Sequence, residues 1–476
     1  MISKTDFVNF QKHPCLLWMS KHQEDLLPQI SENLRQRFDD GRELEQYAEA
    51  RYPNLVRGVL PVKVGDVASQ YTAAWNEFEC RVDLLELDAD GFFHLIEVKS
   101  STKPDAYQIL DLAFQRTILS KCGLNVQRTS IMHVNSGYIR ASNIDPFELL
   151  TLTDVTSEVL SIVDIESQMA GALEVANQET MPSPSPRYCH KDFKKDWLAI
   201  ARGLAGLPEV SVYDLPYLNL LDASALEDLG VLDAKEVPET LLTRKDQRLI
   251  WETLRLTAPD IDRPSIAAAL QNLAYPLHFL DYESVQLAVP AYAGTRPYQQ
   301  VVFQYSLHIL EKPNAPAIHR EYLETSPHLP TKAFSESLRR DIGDYGSVIV
   351  WNESFEKTRN KEMGLMLPEF SQFYDNLNSR VYDLMIPFKQ GHYRDARCKG
   401  SASIKKVLPV LVPSLTYKDL EIQEGQSASR LWRSIVLDGN DIDGRSADIL
   451  QALREYCKLD TFAMVEIFRA LQLAIA

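Results

Sequence analysis

Apolar and polar positions follow two different rhythms along this chain. From residue 81 to 100 they alternate with a period of two. RVDLLEL (81–87), a turn at DADG and FFHLIEVKS (92–100) predict a β-hairpin with Asp90 and Gly91 in the turn. A helical stretch containing DLAFQ (111–115) follows, then a further strand in SIMHVNSGY (130–138). The spacing shifts to three and four between 190 and 270, as in Trp197–Leu204 and Leu242–Leu256. Two apolar runs, PLHFLDYES (276–284) and SVIVWN (347–352), then read as strands, and a long helical pattern runs from Arg445 to the last residue. The Pro- and Ser-rich NQETMPSPSP (177–186) discourages helix and strand alike. The expected organisation is mixed α/β: a domain over 1–176, a linker over 177–189, a helical spacer over 190–270 and a second α/β domain over 271–476.

Composition narrows the class. With 476 residues, 45% apolar and 24% charged, the chain reads as folded, and no apolar run is long enough to span a membrane. The first residues lack the apolar core of a secretory signal, and the six cysteines are scattered without a CxxC. A cytoplasmic protein with reduced thiols is expected. The net charge of −16 argues against a nucleic-acid partner at first sight. The acidic excess is concentrated in 1–100 and 151–250, however, and carboxylates can bind phosphates through metal ions. The histidines form no HxH or HExxH, which disfavours zinc chemistry, and no GxxxxGK[ST] occurs, so ATP-driven unwinding would need a partner such as a helicase.

Two constellations carry chemistry. In the hairpin, Glu97 and Lys99 stand two apart on one strand and share a face, and Asp83 on the neighbouring strand can join them. Two carboxylates and an ammonium at a strand end suit metal-assisted phosphodiester hydrolysis, with Asp83 and Glu97 holding Mg²⁺ or Mn²⁺ and Lys99 orienting water. Exposed charges on an edge strand are the plainer reading of Glu-x-Lys taken alone.

The hairpin with its following helix resembles a PD-(D/E)XK nuclease of the RecB-like branch, over about Phe78–Tyr138. That resemblance implies a restriction-endonuclease-like fold, a glutamine at Gln115 completing the catalytic set, and an additional metal ligand at Glu45 in GRELEQYAEA (41–50). Related CRISPR-associated proteins carry an iron–sulfur cluster on four cysteines. Only Cys15 and Cys189 match those positions, and two thiolates cannot hold such a cluster, so none is expected.

In the second constellation, Asp281 and Glu283 share a face at the end of the strand 276–284. Asn352 ends the strand 347–352, and Glu356 follows on a new helix. The C-terminal helix places Ile449, Leu453, Tyr456, Asp460, Met464 and Ile467 on one stripe, so Asp460 is a carboxylate at a position expected to be buried. Four converging carboxylates repel unless cations lie between them. Two divalent ions roughly 3.5–4 Å apart would meet that need. Capping or an ordinary salt bridge is the alternative for Asp460.

These residues resemble the DEDD 3′–5′ exonucleases of the RNase H-like fold, tyrosine subclass. Asp281-x-Glu283 matches the first motif, WNESFE (351–356) the second with Glu356 in place of the usual Asp, and Tyr456-x-x-x-Asp460 the third. The resemblance implies that Tyr456 helps to position the attacking water. The whole chain resembles an uncharacterised bacterial family that fuses a RecB-like domain to such an exonuclease-like domain, through 279–308, GSASIKKVLP (400–409) and EYCKLDTFAM (455–464).

The expected function is therefore a metal-dependent nuclease, with DNA favoured over RNA as substrate. Its N-terminal site would trim DNA and its C-terminal site would resect a strand from the 3′ end. A non-enzymatic nucleic-acid-binding or assembly protein on decayed nuclease folds is the alternative. Lys405 and Lys406 are candidates for phosphate contact, as is Asn352. Tyr298, Phe303 and Tyr305 could stack bases but suit a sheet core better.

Overall fold

The computed structural model describes residues 1–27 and 32–476. They fall into two compact units, one of Met1–Asp233 with Leu287–Gln299, the other of Ala234–Gln286 with Gln300–Ala476. The spacer expected at 190–270 is thus divided between the two. Among the described residues no helix is long and apolar enough to cross a membrane.

The first unit opens with helices α1 (Lys4–Lys12), α2 (Pro14–His22) and α3 (Glu32–Glu49). A six-stranded sheet follows in sequence order, β1 (Leu55–Arg57), β2 (Val67–Trp75), β3 (Phe78–Leu87), β4 (Phe93–Lys99), β5 (Val126–Val134) and β6 (Leu150–Asp154), with α4 (Ala106–Lys121) between β4 and β5. β2, β3 and β4 form an antiparallel meander, whereas β4 and β5 are parallel. A parallel neighbour requires a crossover, which α4 provides. Alternation along β4 sorts its side chains: Leu95 joins a core with Leu112, Phe114 and Ile118 of α4, while Ile96 and Val98 join Leu44 and Ala48 of α3.

The Pro/Ser segment forms no helix or strand up to Ser185, yet it is no free tether. Trp18 Nε1 donates to the Gln178 carbonyl, and Ser185 Oγ donates to Glu227 at 2.7 Å. Proline removes ladder donors but leaves carbonyls, and side chains of α2 use them. The helix α5 (Lys194–Leu204) completes the part of this unit needed here. Leu287–Gln299 belongs to this unit as well: Ala288 and Val289 are buried with Leu44, and Arg140 donates to the carbonyls of Pro290 and Ala291.

The second unit contains α6 (Lys245–Leu254), a two-residue strand β7 (Asp260–Ile261) and a five-stranded sheet. The sheet's strands are β8 (Leu277–Val285), β9 (Val301–Leu310), β10 (Ile318–Leu323), β11 (Ser347–Val350) and β12 (Val381–Asp383), in the order β10-β9-β8-β11-β12. β8 is antiparallel to β9 and parallel to β11, and β12 continues the parallel half. β13 (Tyr393–Arg394) pairs with β7. Among its helices are α7 (Thr331–Ile342), α8 (Glu353–Met366), α9 (Ile404–Leu411), α10 (Gly425–Trp432) and α11 (Ser446–Ile475).

Period two divides β8 between two cores. Leu277 and Phe279 pack with Ala463, Met464 and Phe468 of α11, whereas Leu280 and Tyr282 pack with Phe334 of α7 and Met363 of α8. Every residue of β9 is buried, as suits a strand covered on both faces. Gly346, at φ +86°, precedes β11 where a Cβ would lie 2.2 Å from the Pro276 carbonyl oxygen, so only glycine fits that approach.

Candidate functional site

The same alternation that puts Leu277 and Phe279 under α11 puts Asp281 and Glu283 there. On α11, Ile449, Leu453, Tyr456, Asp460, Met464 and Ile467 are all buried, with Asp460 9% exposed. Strand and helix therefore bring three carboxylates together, and Asp281, Glu283 and Asp460 each offer an oxygen within 4.8 Å of the other two. Among the described residues this is the one group of three or more His, Cys, Asp or Glu side chains so placed.

The electrostatics are those of crowded acids. Burial, then the charge of Asp460, pushes the Asp281 carboxyl well up, against weaker help from the Cys457 thiol and the Tyr282 backbone. Glu283 is raised well above its usual range by burial and by Asp281 and Asp460, with Lys405 opposing. Asp460 rises only to about 6, because hydrogen bonds from Tyr417 and Tyr456 and the charge of Lys405 offset its burial. The Tyr417 hydroxyl donates to Asp460 Oδ1 at 2.7 Å, and the Cys457 thiol faces Asp281 Oδ2 at 3.8 Å. The Lys405 ammonium lies 5.7 Å from the Tyr417 ring and 5.9 Å from the Tyr456 ring, and it donates to the Gln423 carbonyl. Gly425, at the start of α10, closes one side: a Cβ there would meet Glu283 Oε2 at 3.3 Å.

Glu356 is not one of the three mutually close carboxylates, but it lies near enough to Asp281 for their charges to interact. It sits in the first turn of α8, whose Met363 packs on the opposite sheet face with Tyr282. Its carboxyl is buried, and Oε2 has no hydrogen-bond partner among the described residues. Burial and the charge of Asp281 push it well up. Asn352 occupies the left-handed region at φ +78°, a conformation asparagine tolerates, and is exposed. Its N–H donates to Asp383 Oδ1 at 3.0 Å, and its side chain accepts from Ser354. Lys406 is exposed, and among the described residues it makes no ion pair. Phe303 and Tyr305 are wholly buried, stacked on Trp432 and bonded to Ser337 and Asp341 respectively, so neither can stack bases. Tyr298 belongs to the other unit, where its hydroxyl donates to the Ser100 carbonyl. Beside the ends of β11 and β12 a cavity of about 650 Å³ is lined by Arg244, Lys245 and Lys389 together with Glu353 and Asp383.

In the first unit the pairing Leu84↔Ile96 sets Asp83 beside Glu97, and the Val98 N–H donates to Asp83 Oδ2 at 2.9 Å. Lys99 Nζ binds Glu97 Oε1 at 2.7 Å and Asp111 Oδ2 at 3.1 Å. Gln115 Nε2 reaches Glu97 Oε2 and Asp111 Oδ1, each at 2.8 Å. The four residues expected here are therefore together, with Asp111 in addition. Asp111 lies four residues before Gln115, and helical spacing alone puts both on one face. Glu45 of α3 makes no direct bond to these four; it accepts from Gln70 of β2 at 3.3 Å and lies near enough to Glu97 for their charges to interact. Burial raises its carboxyl, and Lys4 partly offsets that.

Lys4 of α1 completes the cluster. Its ammonium lies 2.8 Å from Glu97 Oε1 and 3.6 Å from Asp83 Oδ1. Burial and Glu97 push Asp83 up to about 7 despite the two lysines. Glu97 is buried too, but Lys4 and Lys99 outweigh that and hold it well below the carboxylate range. Cys15 and Cys189 are buried elsewhere in this unit, bonded to the carbonyls of Pro182 and His190, and burial pushes both thiols up to about 12.

Residues 278–403 match a family described as a domain of unknown function, DUF2779. The chain is 26% identical over 216 residues to a protein of Mycoplasma pneumoniae named "Uncharacterized protein MG366 homolog", covering 41% of this chain and 32% of that one. "Uncharacterized protein MG366" of Mycoplasma genitalium is 25% identical over 214 residues, with the same shares covered. The chain thus spans about a third of the length of these curated relatives. The matched family segment contains Asp281, Glu283, Asn352 and Glu356 and stops short of Tyr456 and Asp460.

Proposed function

We propose that the protein is a metal-dependent nuclease whose principal site is the Asp281–Glu283–Asp460 triad. One observation carries the reading: three carboxylates share a space less than 4.8 Å across, and the charge of Lys405 offsets their crowding only in part. Such a group is stable at neutral pH when protonated or when it holds a cation. The donor set is all oxygen, which suits Mg²⁺ or Mn²⁺. The unpartnered Glu356 Oε2 supports a ligand role for it at the edge of the same site. The antiparallel and parallel halves of the second sheet support an RNase H-like fold. The meander β2–β4 with the crossover α4 supports a restriction-endonuclease-like fold for the first unit.

Asp281, Glu283 and Asp460 would hold a divalent ion, which would supply a bound water of lowered pKa and positive charge for the developing anion. Tyr417 keeps Asp460 ionised and oriented through its hydrogen bond. Tyr456, on the same helix face and hydrogen-bonded to Asp460, would align an attacking water. Lys405 offers a cation to a substrate phosphate at the mouth of the site.

The test is a cleavage time course on 5′-labelled single- and double-stranded DNA and RNA with Mn²⁺, comparing wild type, Asp281→Asn and Lys99→Ala. Products shortened stepwise from the 3′ end, lost only in Asp281→Asn, are expected. Cleavage lost only in Lys99→Ala would move the reaction to the first unit. No cleavage of any substrate by wild type would favour a nucleic-acid-binding protein on decayed nuclease folds.

A further inference from the structure

The first unit's carboxylates differ from the triad in already being neutralised by the chain itself. We propose that Lys4 is a built-in counter-cation that competes with a divalent ion for Asp83 and Glu97 and holds this site closed. The inference rests on the reading that these carboxylates are metal ligands.

Lys4 is not a loose surface lysine that happens to find an acid. Ile2 forms a bridge with Phe78, its N–H donating to the Glu77 carbonyl at 2.7 Å and its carbonyl accepting from Glu79 at 3.0 Å. Ser3 and Asp6 form a reciprocal cap at the start of α1, and Lys21 of α2 holds Asp6 at 2.7 Å. Phe7 stacks on Phe114 of α4 at 4.7 Å. The first turn of α1 is therefore fixed to both β3 and α4. Between those elements lie the carboxylates, and the ammonium sits within 4 Å of both Asp83 and Glu97, where an ion bridging them would sit. Lys99 meets the same Glu97 Oε1 at 2.7 Å and reaches on to Asp111 at 3.1 Å. Two ammoniums face three carboxylates, so little negative charge remains to attract a dication. Opening the site requires Lys4 to leave, and the short bridge at Ile2 is what must yield.

The experiment uses the full chain with Asp281→Asn, which removes the triad as a metal site, and measures Mn²⁺ uptake by equilibrium dialysis. Lys4→Met in that background is expected to bind one Mn²⁺ about tenfold more tightly or better than the parent, and Glu97→Gln to abolish the gain. Lys4→Arg keeps the charge and should show no gain. Lys4→Gln, which keeps a polar contact with Glu97, serves if Lys4→Met does not fold. Equal uptake with and without Lys4, or no uptake in either, overturns the proposal. Mn²⁺ gained in this background, with no cleavage of any nucleic acid by the wild-type chain, sustains the Lys4 proposal and sinks the nuclease reading, so the two fail separately.

Discussion

Asp460 ties folding to pH and, on the proposed reading, would tie both to metal binding. Its carboxyl titrates near 6 in the folded protein, against roughly 3.9 in an unfolded chain. Between those values the folded state holds a proton that the unfolded state has released. The stability this contributes is complete below about pH 4 and is lost as pH rises through about 6. Metal-free protein should therefore lose on the order of 2 kcal/mol between pH 4 and 7 from this group. Urea denaturation with a chelator present would show it, and Asp460→Asn should flatten the slope. At pH 7, Mn²⁺ should raise the melting temperature of wild type and leave Asp281→Asn unmoved. Tyr417→Phe makes a different demand. Without the 2.7 Å bond, Asp460 protonates more readily, so the acid limb of the rate profile should shift upward and kcat fall about tenfold, with KM little changed. A residue that served only packing would not move the limb. Asp460 was legible in the sequence because a carboxylate interrupted an apolar stripe. Tyr417, Cys457 and Lys4 were not, because neither spacing nor pattern marks a contact reached across 43, 176 or 93 residues.

At the scale of elements, α11 is both core and site. Leu453, Met464 and Phe468 bury one face while Tyr456 and Asp460 project from the same stripe, so rigidity and chemistry share one set of contacts. Phe279 meets Phe468 edge-on at 5.7 Å directly below the acids. Phe468→Ala should cost about 3–5 kcal/mol of stability, read from the shift in urea midpoint at unchanged slope. Metal affinity should fall with it, since the cavity lies under the helix that positions Asp460. Strands β4, β8 and β11 and helices α4 and α11 were legible because period two or a continuous stripe extended over each. Leu287–Gln299 was not. Its VPAY apolar residues read equally well as core of the second domain, and only tertiary packing assigns Ala288 and Val289 to the first unit. The Pro/Ser segment was legible as non-helical but not as packed, because what it offers to Cys15 and Trp18 is backbone carbonyls that any sequence provides.

For the molecule as a whole, a net charge of −16 means that a nucleic-acid substrate, on the proposed reading, would have to be drawn to local cations rather than to the general field. The cavity beside β11 and β12 supplies such cations in Lys245 and Lys389, together with Arg244. The acids that share its wall are largely occupied, Asp246 by Arg244 itself at 3.2 Å. Glu353 pairs with Lys357 at 2.5 Å, and Asp383 accepts from the N–H groups of Asn352 and Met385. The exposed lysines are thus the part of this surface open to a phosphate. If a single strand crosses the cavity, replacing both with glutamine removes two phosphate contacts. Each contact releases roughly 0.7 of a counterion on a single strand, so the slope of log affinity against log salt should fall by about 1.4. Anisotropy of a labelled single strand at several salt concentrations, in an Asp281→Asn background to prevent cleavage, measures that slope. An unchanged slope would take the strand away from this cavity and leave Lys405 as the cation that meets it at the triad.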